Sequence, residues 1–250
     1  MIYFIGAGPG AVDLITVRGA ELLQKAEIII YAGSLVNPEL VNKYARQDCE
    51  IYDSAGMNLE EITGKLIDGH ERNLLTVRLH SGDPSLYGAI REQIEILRDK
   101  NIPFEIVPGV SSLFAASASL KTEYMIPEIS QTLIISRVEG RTPVPEGKST
   151  ALFLSAGMVD KACNELINSG YTPETPAAIV YKASWPDEKI IRGTLATLPE
   201  LAKASGINKT ALILAGEFLN ENINTKSKLY DKNFSHGFRN HNSGFHEERN

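Results

Sequence analysis

Leu74-Leu75-Thr76-Val77-Arg78-Leu79 runs without a break into His80-Ser81-Gly82-Asp83-Pro84-Ser85-Leu86-Tyr87-Gly88, and this junction decides the fold. The first half is an apolar, partly β-branched run of strand length. In the second half, Gly82 and Gly88 admit backbone conformations closed to other residues, and Asp83-Pro84 drives the chain out of the strand. A buried strand that ends in such a loop and then opens a helix is one half of an α/β unit. Open α/β sheets bind ligands outside the carboxyl ends of their strands. Asp83 suits two roles there, a helix cap or an acceptor for hydroxyl and amine groups of a ligand.

The same rhythm extends to both sides. Strand-like runs at residues 2–5, 28–31, 49–52, 74–79 and 104–107 alternate with amphipathic stretches at 16–25, 38–45, 59–67, 86–100 and 111–120. This predicts an N-terminal domain over residues 1–120 with a largely parallel five-stranded sheet. Residues 121–130 are polar and contain a proline, and read as a linker. Strand-like runs resume at 131–136, 151–154, 177–181, 189–193 and 211–215, with helices at 160–169 and 198–204. The second α/β domain, residues 131–239, is therefore expected to hold a mixed sheet, followed by a polar tail at 240–250.

Composition narrows the function classes. The 250 residues are 43% hydrophobic and 22% charged, with no apolar run of membrane-spanning length. The opening residues are too short an apolar segment for a signal peptide and carry no basic leader. A soluble cytoplasmic protein is expected. A net charge of −6 argues against a nucleic-acid partner. Cys49 and Cys163 stand far apart in no metal or redox spacing and read as reduced thiols. His236, His241 and His246 are irregularly spaced with no cysteine or acidic companion, which fits a tail rather than a metal centre.

Other loops repeat the theme of the first. Gly6-Ala7-Gly8-Pro9-Gly10 starts like a dinucleotide fingerprint but fails it. Asp13 stands where a third glycine is wanted, no acidic residue closes the second strand, and Pro9 removes an amide donor. What remains is a compact loop, including Gly8 and Gly10, against which a flat ligand can lie. Val107-Pro108-Gly109-Val110-Ser111-Ser112 offers two hydroxyls at a helix N-terminus: one serine suffices for a cap, leaving the second for a ligand. Leu154-Ser155-Ala156-Gly157 and Thr210-Ala211 join strands to small residues, a pattern that also serves close packing. Arg137 and Arg141 flank a glycine-bearing turn; such forks suit carboxylates, although two arginines taken alone are more often surface ion-pair partners. No nucleophile and base stand in a catalytic spacing, so the sequence points to binding and positioning.

Together, Tyr31-Ala32-Gly33-Ser34-Leu35-Val36, Arg78 through Gly88 and Gln131 through Pro145 resemble the tetrapyrrole methylases, most of all the branch that acts in cobalamin synthesis. The resemblance spans roughly residues 1–239. It implies two α/β domains with S-adenosylmethionine bound in the cleft between them, S-adenosylhomocysteine as product, a small tetrapyrrole as substrate, and a homodimer. Carried over by position, the cofactor contacts fall on Pro9, Ser81, Gly82, Asp83, Tyr87, Ser111, Ser112, Ala156, Thr210 and Ala211, most of them through backbone. Gly8, Gly10, Arg137, Arg141 and Lys182 are expected to face the substrate. Other methylases of the same fold, and a non-catalytic nucleotide sensor, are the alternatives; methyl turnover separates the last of these.

Overall fold

The computed structural model describes residues 1–138, 144, 148–220, 225 and 227–239. In the first half, β1 (Ile2–Gly6), β2 (Ile28–Tyr31), β3 (Glu50–Asp53), β4 (Thr76–His80) and β5 (Phe104–Val107) alternate with α1 (Val17–Lys25), α2 (Pro38–Tyr44), α3 (Leu59–Glu71) and α4 (Arg91–Asp99). The sheet order is β3-β2-β4-β1-β5, with every pair parallel. Parallel strands need crossovers, and each crossover here is a helix with a clear start. Thr16 caps α1 by accepting from the Gly19 amide at 3.1 Å. Asn58 and Glu61 form a reciprocal capping box at α3.

Both faces of this sheet are covered, which is why its strands read as continuous apolar runs. Leu23, Leu40 and Val41 of α1 and α2 pack on Ile5, Ile29, Val77 and Leu79. Leu66 and Leu97 of α3 and α4 pack on Ile2, Phe4, Ile28 and Ile30 from the other side. Each such buried side chain contributes about 1.5–3 kcal/mol. The adjacent strands β1 and β4 thus send the chain to opposite faces. A crevice opens between their carboxyl ends, at the topological switch point.

The second sheet contains β6 (Ile134–Ser136), β7 (Ser149–Leu152), β8 (Pro176–Tyr181), β9 (Lys189–Thr194) and β10 (Ala211–Gly216), in the order β6-β7-β10-β8-β9. Only β6 and β7 run parallel, so the sheet is mixed as expected. One face carries α6 (Val159–Asn168) and α7 (Leu198–Ser205), through Cys163, Leu166, Leu198 and Ala202. The other face is covered by α5 (Ser112–Leu120), whose Leu113, Ala116 and Leu120 pack with Val180, Leu212 and Leu214. The helix that leaves β5 therefore builds the core of the second sheet.

One element is shorter than the sequence predicts. The helix expected over residues 86–100 begins only at Arg91, because Tyr87 (φ 55°) and Ala89 (φ 48°) are left-handed and no α-helix passes through them. The segment curls back instead: a Cβ on Gly88 would stand 2.2 Å from the Pro84 carbonyl oxygen.

Candidate active site

Three strand ends interlock at the crevice. Gly8 and Gly82 exchange backbone hydrogen bonds of 3.2 and 2.8 Å, a single antiparallel bridge across the mouth. A Cβ on Gly109 would lie 2.2 Å from the Gly82 carbonyl oxygen and 2.6 Å from the Cα of Gly6. Backbone meets backbone here, so the loops after β1, β4 and β5 hold one another.

Asp83 ties this assembly together. One carboxylate oxygen accepts from the Ser85 amide and hydroxyl, and the other from the Gly109 amide at 2.8 Å. Burial opposes its charge, but the Ser85 hydroxyl and the Gly109 and Ser85 amides outweigh it and hold the carboxyl below its usual range. Asp83 caps no helix, because α4 starts only at Arg91 with Ile90 as its cap; its carboxylate instead closes the turn at Ser85 and links two loops. Ser111 caps α5 through the Leu113 amide at 3.2 Å. Ser112 makes no such bond among the described residues.

Above the crevice lies a cavity of about 620 Å³ between the two sheets, a size suited to a nucleoside-scale ligand. The first half lines it with Pro9, Ser81, Gly82, Asp83 and Tyr87, and with Ser111 and Ser112 at the start of α5. The second half adds Ala156, Lys182, Thr210 and Ala211. The antiparallel register explains the last three: Tyr181, ending β8, pairs with Ala211, starting β10, and the Lys182 amide donates to the Thr210 carbonyl at 2.9 Å.

Strain gathers around the same space. Tyr87, Ala89, Leu154, Lys182 and Thr210 all line the cavity with positive φ and none is glycine. Conformations of this kind cost about 1–3 kcal/mol each and persist where the surroundings impose them.

The residues expected to face the substrate are less uniform. Gly8 and Gly10 do not line the cavity; a Cβ on Gly10 would sit 1.9 Å from Cδ1 of Trp185, whose indole covers that face of the loop. Trp185 also donates from Nε1 to the Pro9 carbonyl at 2.9 Å, and the Ala11 amide donates to Ser184 at 3.0 Å. The second half thus clasps the β1 loop. Lys182 forms an ion pair with Asp187 at 2.6 Å, which raises its pKa. Arg137 is exposed, and its charge reaches Tyr87, whose hydroxyl pKa is raised by burial and pulled back by that charge. Arg141 lies outside the described residues.

Several lining residues were not singled out from the sequence. Trp185 was available as the sole tryptophan, in a strand-end turn before Pro186. Phe153, Asn208 and Lys209 carried no signal. Among the described residues no cluster of His, Cys, Asp and Glu is placed to hold a metal, and no helix is long and apolar enough to cross a membrane. Cys49 and Cys163 are unbridged, and burial pushes their thiols up to about 11 and about 12.

Known proteins share this arrangement. A model of the tetrapyrrole (corrin/porphyrin) methylases matches residues 1–199. The cobalt-precorrin-4 C(11)-methyltransferase of Methanocaldococcus jannaschii is 53% identical over 248 residues, 95% of each chain. A solved structure of a cobalamin biosynthetic enzyme, cobalt precorrin-4 methyltransferase, superposes with a TM-score of 0.82 at 46% identity, covering 88% of this chain and 95% of that one. The uroporphyrin-III C-methyl transferase of Thermus thermophilus, solved in complex with S-adenosylhomocysteine, gives a TM-score of 0.75 at 26% identity, covering 87% of this chain and 98% of that one.

Proposed function

The chain belongs to the tetrapyrrole (corrin/porphyrin) methylases, and from that premise we propose that it methylates C11 of precorrin-4, or of its cobalt complex, with S-adenosylmethionine as donor. The observation that carries this reading is the cavity between the sheets, walled at once by the 81–83 loop, the start of α5, Ala156 and Thr210-Ala211. Relatives that cover 95% of this chain and at least 95% of their own length carry that activity in their names.

The site suits the cofactor. Its size fits, its floor is glycine and serine backbone, and Gly82 (φ 64°) leaves main-chain groups open where a side chain would intrude. Bound there, the cofactor supplies a sulfonium methyl that a ring carbon takes as the C–CH3 bond forms and the S–CH3 bond breaks, its electron pair staying on sulfur. The protein's part is placement. Interlocked loops hold one partner, and Leu86, Phe153 and Leu212 give the cavity an apolar wall. Fixed alignment of this kind supplies up to roughly 7–11 kcal/mol of a barrier.

Arg137 and Arg141, with Lys182 once it shares its partner Asp187, are the proposed holders of the substrate's peripheral carboxylates. The same reading makes the enzyme a cytoplasmic homodimer; exposed Phe114 and Ile106 are apolar surface consistent with a partner copy.

Titration calorimetry with S-adenosylhomocysteine tests the reading without the unstable tetrapyrrole. Micromolar binding that disappears in Gly82→Val, together with methyl transfer to precorrin-4 or its cobalt complex, is expected. A chain that binds no S-adenosylhomocysteine would sink the proposal.

A further inference from the structure

Two side chains on β4 are built into the cavity wall with polar atoms left over. Arg78 and His80 stand two residues apart and so share one face of the strand. Each is only 6% exposed, and both line the cavity. Arg78 uses one terminal nitrogen, donating to the Ile30 carbonyl at 3.2 Å and the Ser54 hydroxyl at 3.0 Å, while its Nε makes no hydrogen bond. The His80 ring is stacked on Phe4 at 6.0 Å, and its Nε2 makes no hydrogen bond either.

No carboxylate neutralises Arg78 among the described residues. Burial alone draws its pKa down to about 10, and burial followed by the Arg78 charge draws His80 down to about 3. A guanidinium enclosed without a counter-ion is costly, and buried N–H groups without acceptors add to that cost. Buried Ser111 and half-buried Asp83, at the same crevice, are satisfied internally. The Arg78 and His80 pair is completed only by something that enters the cleft.

We propose that Arg78 and His80 form a carboxylate-binding subsite in the wall of the cleft, occupied when ligand is bound. A carboxylate offers two oxygens and one negative charge, matching Nε–H of Arg78 and Nε2–H of a neutral His80. A phosphate dianion would bring a second negative charge, which one guanidinium and a neutral imidazole do not balance. The carboxylate belongs either to the methionine end of the cofactor or to an acidic arm of the macrocycle. The inference rests on the methylase reading above and deepens it by assigning a charge partner inside the cleft.

The test uses the full chain, Arg78→Met and His80→Phe, and three readouts. In the ligand-free protein, Arg78→Met is expected to melt at the same temperature or higher, since it removes an uncompensated buried charge. Calorimetry then compares S-adenosylhomocysteine with its decarboxylated analogue, and turnover gives the KM for the tetrapyrrole. If the methionine carboxylate sits there, both variants bind S-adenosylhomocysteine about tenfold or more weakly, a loss in line with one charge-assisted hydrogen bond, and bind the decarboxylated analogue as the parent chain does. If the macrocycle carboxylate sits there, S-adenosylhomocysteine affinity is unchanged and KM for the tetrapyrrole rises about tenfold or more. Parent-like affinity and KM in both variants overturn the subsite while leaving the methylase reading intact, as does equal weakening of both nucleosides or a marked fall in the melting temperature of ligand-free Arg78→Met. A parent chain that binds no S-adenosylhomocysteine removes both.

Discussion

The two sheets contribute to the cleft by different geometric rules. In the N-terminal sheet every strand is parallel, so every strand-to-helix loop emerges at the same edge, and the loops after β1, β4 and β5 meet there whatever their side chains. In the second sheet β8 and β10 run antiparallel, so the cleft takes the end of one strand and the start of the other, Lys182 beside Thr210. Connectivity alone places a site in the first case. In the second, pairing register does so, and a slip of one residue would turn these groups to the opposite face.

The sharpest way to break this contrast is Gly109→Ala. A Cβ there meets two backbones at 2.2 and 2.6 Å, neither of which can rotate away. We expect a loss of about 3 kcal/mol or more in chemical unfolding; a loss under about 1 kcal/mol would mean that the loop interlock is soft. Acid titration probes the first half next. Burial keeps His80 neutral in the fold, down to about pH 3, whereas the unfolded histidine takes a proton near its ordinary value. The unfolded state then binds more protons, so stability falls as pH drops from about 6.5, by about 1.4 kcal/mol per unit from this group. Asp83 has a depressed carboxyl pKa and adds stability that is present above its ordinary range near pH 4 and lost on further acidification. A His80→Gln chain whose stability is as acid-sensitive as the parent's between pH 6.5 and 4.5 would refute the first statement.

The join between the halves is tested by Trp185→Ala, which removes the bond to the Pro9 carbonyl and the indole packed on Gly10. For a half-buried tryptophan we expect about 2 kcal/mol of lost stability, and faster proteolysis in the β1 loop; unchanged cleavage would mean that the clasp does not restrain the loop. The smallest effect belongs to Thr210→Gly. Thr210 has a φ of 52°, where a β-branched residue is strained, so glycine should be neutral or stabilise by up to about 1 kcal/mol. A clear destabilisation would show that the threonine side chain holds the register.

Much of this was legible because the signals are local. The ten strand runs and the turn at Ser81–Asp83 follow from β-branching, glycine and proline. The capping serine of α5 was equally visible. What went unseen depended on distant partners. The first turn of the helix expected at residue 86 is lost to left-handed Tyr87 and Ala89, which no pattern of side chains announces. Gly10 reads as open backbone until Trp185, far along the chain, is placed upon it. Arg78 sits in a strand pattern like any other residue, and only its enclosure without a counter-ion marks it.

The sequence by itself therefore determined the alternation of strands and helices, the parallel first half and the family, because period, turn chemistry and motif strings are properties of neighbouring residues. Tertiary structure alone decided that α5 seals the second sheet, that Asp83 spends both oxygens inside the loop cluster, and that Arg78 and His80 face a cleft with polar atoms to spare. Burial, hydrogen-bond saturation and strain are set by which residues far apart in the chain are brought together, and only the folded chain brings them together.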